Sequence, residues 1–175
     1  VSFIDYDGVG RESKKYLPIP LSVKSGNYVS FSTIQNSSFY SEGNAFTETK
    51  YEDSPLNRII SEHGPGSWAA HPVTYGYDTN SSDIIYFTAE GGLTKNGTYA
   101  AGTLYVNAVA DEDGNVVKEY KDKLGQVILK RGNDGIREID TYFVYNDLGQ
   151  LCYVIPPLAV DKLIGSSFSD DNITL

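Results

Sequence analysis

The sequence predicts a mostly β fold, an antiparallel meander or curved sheet of short hairpins with one or two short helices. Three observations predict this class. Several segments alternate between large apolar and small or polar residues with a period of two, as half-buried strands do. Clusters of Gly, Asn and Asp separate these segments. Finally, 17 Gly, 7 Pro and 14 Tyr among 175 residues favour turns and strands over helices.

Six segments have the composition of strands, since they are rich in β-branched and aromatic residues. They are residues 73–78, 83–89, 102–110, Val116–Lys121, 141–145 and Leu151–Ile155. Because the strands are short and turn-forming residues separate them, we expect them to pair antiparallel as hairpins.

One helix is predicted within the stretch SPLNRIISEHGPG. Ser54 is a candidate N-cap and Pro55 suits the first helical position, while Gly64 and Pro65 would end the helix. The apolar face of this helix would consist of Leu56, Ile59 and Ile60.

A second helix, in PPLAVDKLIG, is predicted to begin at Pro157 and end at Gly165. Residues 26–46 have no clear period, and we expect a loop there with a short strand or one turn of helix.

Because the chain contains no Met and opens on VSFIDYDG, we interpret residues 1–165 as a single β-rich domain taken from a longer protein. Residues 166–175 are expected to be a tail or linker.

The most regular feature of the sequence is a turn motif in which Gly follows Asp or Asn by three residues. An Asp or Asn side chain can accept hydrogen bonds from the backbone ahead of it, and Gly can take the positive φ that completes the turn. The eleven residues from Gly114 to Gly125 fit one turn and one strand. The four copies of the motif are Asp7 with Gly10, Asp111 with Gly114, Asp122 with Gly125, and Asn146 with Gly149.

The first copy, YDGVGR at residues 6–11, resembles the YD repeat of RHS (rearrangement hotspot) proteins. Longer stretches between residues 6 and 157 resemble the domain of unknown function that precedes RHS repeats in large Bacteroidetes surface or secreted proteins. Among them are SPLNR, AGTLY, EYKDKLGQVILK and YVIPP. The chain departs from the YD consensus at Lys121, Gln126, Asn146 and Gln150.

This resemblance implies a fold and a setting for the chain. RHS and YD repeats build long β-sheets that coil into a hollow shell, so the implied partners are flanking RHS repeats of the parent chain. The implied location is extracellular or on the cell surface of a bacterium, as part of a larger exported protein.

Charge and hydropathy exclude two kinds of partner. The net charge of −9 would repel a phosphate backbone, so nucleic-acid binding is not expected. No apolar run is long enough to cross a bilayer, so we expect no membrane insertion by this segment.

The segment DEDGN at residues 111–115 allows two readings. Its oxygen-rich side chains are of the kind that Ca²⁺ prefers, but the bidentate Glu that closes an EF-type loop is absent. An Asx turn accounts for the same residues, and we expect a turn. Asp113 is the carboxylate that the turn does not require.

Three further side chains, His63, His71 and Cys152, are of types that can bind a metal ion or react as a nucleophile. His63 and His71 could bind a metal ion, but we expect them to belong to a loop packed around Trp68, because zinc sites usually have closer spacing and more ligands. Cys152 lies in the apolar run LCYVI and is expected to be a small buried core residue.

No nucleophile elbow, zinc-protease motif, P-loop or dinucleotide fingerprint is present. We therefore expect no enzyme activity, no cofactor and no metal ion.

The leading hypothesis is a non-catalytic structural module that contributes strands to an extended sheet or shell. The alternative is a carbohydrate- or protein-binding module that uses exposed aromatic residues, and a hydrolase with two facing carboxylates is the third hypothesis. The aromatic candidates are Trp68, Tyr75, Tyr77 and Tyr86.

Overall fold

The computed structural model describes residues 1–21, 26–35, 39–41 and 43–165. It confirms the mostly β class, with a large antiparallel sheet and two α-helices in these ranges. The predicted tail, residues 166–175, lies outside the described residues. The strands are β1 (Ile4–Tyr6), β2 (Glu12–Tyr16), β3 (Phe46–Tyr51), β4 (Ile59–His63), β5 (Val73–Thr79), β6 (Ile85–Thr88), β7 (Thr94–Thr98), β8 (Tyr105–Ala110), β9 (Val116–Lys121), β10 (Val127–Asn133), β11 (Glu138–Tyr145) and β12 (Leu151–Ile155).

Strand pairing follows the chain almost without crossovers. Ten strands pair in the order β1-β2-β3-β4-β5-β8-β9-β10-β11-β12, and β6 pairs separately with β7. The chain divides into two compact units: unit 1 is Val1–Tyr75 with Asp111–Asp113, and unit 2 is Gly76–Ala110 with Gly114–Leu175.

Unit 1 contains a cluster of aromatic side chains beside its hairpins. Helix α1 (Phe31–Gln35) brings Phe31 against Phe3, with ring centroids 4.3 Å apart. Tyr16 of β2 contacts Phe31 at 5.2 Å and Phe46 of β3 at 5.1 Å. The expectation of a loop with a short strand or one turn of helix in residues 26–46 is confirmed where this range is described, since α1 is one short helix there. Residues 36–38 and 42 lie outside the described residues.

The predicted helix in residues 54–64 is wrong. Ser54 lies in the turn that joins β3 to β4, where its Oγ accepts a hydrogen bond from Leu56 N at 3.2 Å. Asn57 has a positive φ of 55°, which ends any helix there. Ile59 then opens strand β4, with Ile60 exposed on the opposite face. Ser-Pro suits a tight turn as well as a helix start, and pairing with β3 decides between them.

Unit 2 packs its sheet strands against the β6–β7 hairpin and helix α2 (Pro157–Gly165), which has the predicted bounds. Tyr142 of β11 is almost fully buried, and its hydroxyl accepts a hydrogen bond from Ile85 N at 3.3 Å. Burial raises the pKa of Tyr142 to about 12. The core consists of Ile84, Ile85, Phe87, Leu93, Leu104, Val106, Tyr120, Ile128, Leu129, Tyr142, Val144, Ile155, Val160 and Leu163.

The prediction that Cys152 is buried is wrong. Cys152 is exposed, because it is the extra residue at the irregularity in the β11–β12 pairing, between Leu151 and Tyr153. Ile155 of the same strand is buried, since an apolar run is enclosed only on a face that is covered by a packed layer. Within the described part of the chain, β12 has a neighbouring strand on one side only.

In the described ranges, no helix is both long and apolar enough to cross a bilayer.

Candidate functional site

The same backbone arrangement recurs at three of the four predicted turns. In the turns that begin at Asp7, Asp122 and Asn146, the side-chain Oδ1 accepts hydrogen bonds from the backbone N of the second and fourth residues ahead, at 2.8–3.1 Å. Each turn also has two backbone bonds, including one from the Gly N to the carbonyl of the opening residue. The three Gly residues have φ between 75° and 87°. The turn is thus encoded by one oxygen acceptor and one Gly.

The turn at residues 111–114 has the corresponding first contact. Asp111 Oδ1 accepts a hydrogen bond from Asp113 N at 3.0 Å, and Gly114 has a φ of 83°. Among the residues that the structure describes, no three His, Cys, Asp or Glu side chains are grouped so that they could hold a metal ion.

Sequence reasoning missed a further turn of this kind between β10 and β11. Asp134 Oδ1 accepts hydrogen bonds from the backbone N of Ile136 and Arg137, both at 2.9 Å. Gly135 has a φ of 87°. The signal was present as Asn-Asp-Gly at residues 133–135, but the Gly directly follows Asp there, so the spacing differs from that of the other copies.

The turns at Asp7 and Asp122 are each joined to a neighbouring turn by a side-chain hydrogen bond. The Arg11 guanidinium donates to Glu52 O at 3.2 Å and to Asn57 Oδ1 at 3.3 Å, and it lies 4.6 Å from the centre of the Tyr51 ring. These partners belong to β3 and the β3–β4 turn.

Gln126 makes the equivalent contact in unit 2. Its Nε2 donates to Gly149 O, in the β11–β12 turn, at 3.3 Å. Arg11 and Gln126 occupy the same position, directly after the Gly of their own turn. Sequence reasoning missed this role because the contact joins residues that are far apart in the chain.

The edge strand β12 has an unusual composition for an edge. Its sequence, LCYVI, contains no charged residue and no Pro, and Leu151 and Val154 are 50% and 48% exposed. Natural edge strands are usually protected by charge, Pro, bulges or short length. Strand β12 has five residues and an irregularity in its pairing with β11, but neither charge nor Pro. The strand at the other end of the order, β1, is three residues long and carries Asp5.

Trp68, the first aromatic candidate, lies in a groove of about 380 Å³ in unit 1. The Trp68 side chain is 62% exposed and belongs to the 3-10 turn Gly66–Ala70. A Cβ on Gly64 would lie 2.7 Å from Trp68 Cβ, so only Gly permits this approach. The groove is also lined by Leu17, Phe39, Tyr40, Ser41, Ala45, Pro65 and Gly66.

His63 supports the Trp68 turn. One ring nitrogen, Nδ1, lies 3.0 Å from Ala69 O, and the other, Nε2, lies 3.0 Å from Ser61 Oγ. The neutral tautomer with the proton on Nδ1 satisfies both contacts. His71 contributes its backbone N–H, which donates to Trp68 O at 3.0 Å.

The other three aromatic candidates lie in different surroundings. Tyr75 donates from its hydroxyl to Glu62 Oε2 at 2.5 Å in unit 1. Tyr77 is 37% exposed and lines a depression of unit 2 beside β8 and β9. Tyr86 is 39% exposed and lines a separate cleft of unit 2.

The cleft beside Tyr86 has a volume of about 510 Å³ and lies among β6, β11 and the turns that begin at Asp122 and Asn146. Tyr86 and Tyr99 meet edge to face there, with centroids 4.9 Å apart. Burial is the main cause that raises the pKa of Tyr99 to about 12.

Two carboxylates, Glu90 and Asp147, also line this cleft. Hydrogen bonding to the neighbouring Asp147 carboxyl group, and then its charge, raises the pKa of Glu90 above its ordinary value.

Comparisons with known proteins give one match. No curated protein and no solved structure matches the chain. Residues 1–80 match the family model described as "Domain of unknown function (DUF6443)", and this match covers less than half of the chain. The matched residues run from β1 to the end of β5, whereas three of the four sequence-predicted turns lie beyond them.

Proposed function

We propose that this chain is a non-catalytic structural module of a large RHS/YD-type bacterial protein that is secreted or lies on the cell surface. Its strands would form part of a longer sheet or shell, with the flanking repeats of the same polypeptide as partners. The observation that carries this proposal is the uncharged, exposed edge strand β12 at the end of a series of hairpins.

The composition of β12 supports this role physically. A sheet edge presents unpaired N–H and C=O groups, and a soluble protein normally blunts such an edge. The apolar side chains of Leu151 and Val154 would lose their contact with water if another strand paired with β12. Burying such side chains stabilises an assembly by roughly 25 cal/mol per Å² of apolar surface.

The repeated turn supports the same proposal. Each copy needs only an Asx residue and a Gly, so the hairpin can be repeated many times with little constraint on the residues between. Repeats of this kind bury a continuous core only when neighbours stack on each other.

Amide hydrogen exchange tests the proposal. Exchange is measured in residues 1–175 alone and in the full-length protein from the natural source. We expect the outward-facing amides of Leu151–Ile155 to exchange more slowly in the full-length protein, while the amides of β9 serve as a control that is paired in both samples. Equal exchange at β12 in the two samples would falsify the proposal.

A second candidate function, binding of a carbohydrate, is favoured by the groove around Trp68. An indole that is 62% exposed beside Phe39 and Tyr40 offers aromatic faces on which sugar rings can stack. The Ser41 hydroxyl at the same groove can donate or accept a hydrogen bond.

A glycan array tests this second candidate, with Trp68→Ala compared against the unchanged protein. Binding that disappears in Trp68→Ala supports the groove as the site. Tyr77→Ala is the matched control, since it removes an aromatic side chain from a different depression. Absence of binding to every glycan, or binding that Trp68→Ala leaves intact, excludes the groove.

A further inference from the structure

We infer that Gln150 is the recognition residue for an additional β-hairpin, which pairs its first strand antiparallel with β12 and stacks its turn against residues 146–149. The inference rests on the proposed function, because it names the residue and the kind of partner that extend the sheet at β12. It follows from a rule that two other turns already obey.

The rule concerns the residue that directly follows the Gly in the turns at Asp7 and Asp122. Arg11 directly precedes β2, and its side chain bonds to the carbonyl of Glu52, where the neighbouring strand β3 ends. Gln126 directly precedes β10, and its side chain bonds to the carbonyl of Gly149, in the turn that ends the neighbouring strand β11. In both units, the contact runs from the start of one strand to the turn that ends the next.

Gln150 occupies the same position in the turn at Asn146. It directly precedes β12, as Gln126 precedes β10, and its own turn has the same Asx and Gly bonds. Its Oε1 accepts a hydrogen bond from Asn146 Nδ2 at 2.9 Å, which orients the amide. Among the residues that the structure describes, its Nε2 donates to no acceptor, and the side chain is exposed.

If Gln150 follows the pattern of Arg11 and Gln126, the kind of partner that pairs with β12 can be identified. A strand paired with the outer edge of β12 and running antiparallel to it would end next to Gln150, and its turn would offer a backbone carbonyl there. A second copy of this chain pairing β12 with β12 antiparallel would instead place the end of β12, near Ile155, beside Gln150. The position of Gln150 therefore favours a hairpin with a turn of the same type over a symmetric dimer.

The probe is a synthetic peptide with the sequence of residues 138–155, which contains β11, the turn and β12. Its Cys is replaced by Ser, and its ends are joined through D-Pro-Gly, because an isolated hairpin is only marginally stable. Binding to residues 1–175 is measured by fluorescence anisotropy, and the bound region by hydrogen exchange.

We expect the peptide to protect the amides of Leu151–Ile155. Gln150→Ala should weaken the affinity about fivefold, the equivalent of one hydrogen bond of about 1 kcal/mol. Gln150→Glu should show the same loss, since it lacks the N–H donor, and Gln150→Arg should retain affinity, as Arg11 provides the same contact. Lys123→Gln, an exposed change in the neighbouring turn, is the control.

Two outcomes separate the inference from the proposed function. If the peptide protects β12 equally in the unchanged protein and in Gln150→Ala, the role of Gln150 is refuted and the extension of the sheet at β12 stands. If the peptide protects no residue of β12, or if β12 pairs with a second copy of the chain instead, the hairpin partner itself is refuted.

Discussion

Gln126 Nε2 lies 3.3 Å from Gly149 O, and this hydrogen bond joins two hairpin turns separated by 23 residues in the chain. A Cβ on Gly149 would lie 2.9 Å from the same Nε2 atom. The two turns are therefore in direct contact, and the absence of a side chain at position 149 is part of that contact.

Removing this contact should cost a measurable amount of stability. Gln126→Ala is expected to lower the free energy of unfolding in urea by about 0.5–1 kcal/mol, the net value of one hydrogen bond. Gly149→Ala should cost more, since it strains a φ of 75° by about 1–2 kcal/mol and also displaces the Gln126 amide.

A double-mutant cycle tests whether the two effects share one cause. In the Gln126→Ala background, Gly149→Ala should cost only the backbone strain, as Gly125→Ala does, because a Cβ on Gly125 would meet no atom within 4 Å. An equal cost of Gly149→Ala in both backgrounds would show that the turns are energetically independent.

The acceptor role of the turn-opening residue gives a second prediction. Asp122→Ala removes the Oδ1 atom that accepts bonds from Leu124 N and Gln126 N, so it should destabilise the protein by about 1–2 kcal/mol. Asp122→Asn should stay within about 0.5 kcal/mol, because Asn146 forms the same turn with an amide oxygen.

Asp113→Ala is the matched control for the turn, since Asp113 is a carboxylate at a hairpin that the turn geometry does not require. Its effect should stay within about 0.5 kcal/mol. Thermal or urea unfolding measures all three variants. A loss in Asp113→Ala as large as that in Asp122→Ala would contradict the assignment of roles.

Cys152 gives a direct test of side-chain exposure on β12. Because its thiol is exposed on the edge strand, the folded protein should react with Ellman's reagent to one thiol per chain without denaturant. The rate should resemble that of the same protein in urea to within about tenfold. Reaction only after unfolding would mean that β12 is covered.

Acid should destabilise the β3–β4 turn through Glu52. Hydrogen bonds from Arg58, then from Ser54, lower the pKa of Glu52 to about 2, from an ordinary value of 4.5. Because the folded pKa lies below the unfolded value, the contribution is present above about pH 4.5 and is lost as the pH falls toward 2.

Unfolding in urea at several pH values measures this dependence. Glu52→Gln should flatten the decline in stability between pH 4.5 and 2, while the exposed substitution Glu112→Gln should leave the decline as it is. If Glu52→Gln and the unchanged protein decline in parallel through this window, Glu52 is not the titrating group.

The features that sequence alone predicted are those that local chemistry determines. The turns at Asp7, Asp122 and Asn146 depend on a side chain and a Gly within four residues, and β9 and α2 have the predicted bounds. Period-two alternation and turn spacing were sufficient to predict the antiparallel meander.

The features that were missed depend on residues far apart in the chain. Residues 54–57 contain signals for a helix start and for a turn, and only the pairing of β3 with β4 selects the turn. Cys152 lies in an apolar run whose burial depends on the register of β12 against β11 and on which face meets the core. The Glu90–Asp147 pair joins two loops, and neither loop carries a motif for it.

A structure of the full-length protein from its natural source tests the central claim most directly. The account predicts a strand that is hydrogen-bonded antiparallel to the outer edge of Leu151–Ile155, with the carbonyl of its turn within about 3.5 Å of Gln150 Nε2. A β12 edge that faces solvent, or that is covered by a helix or an irregular loop, would contradict it.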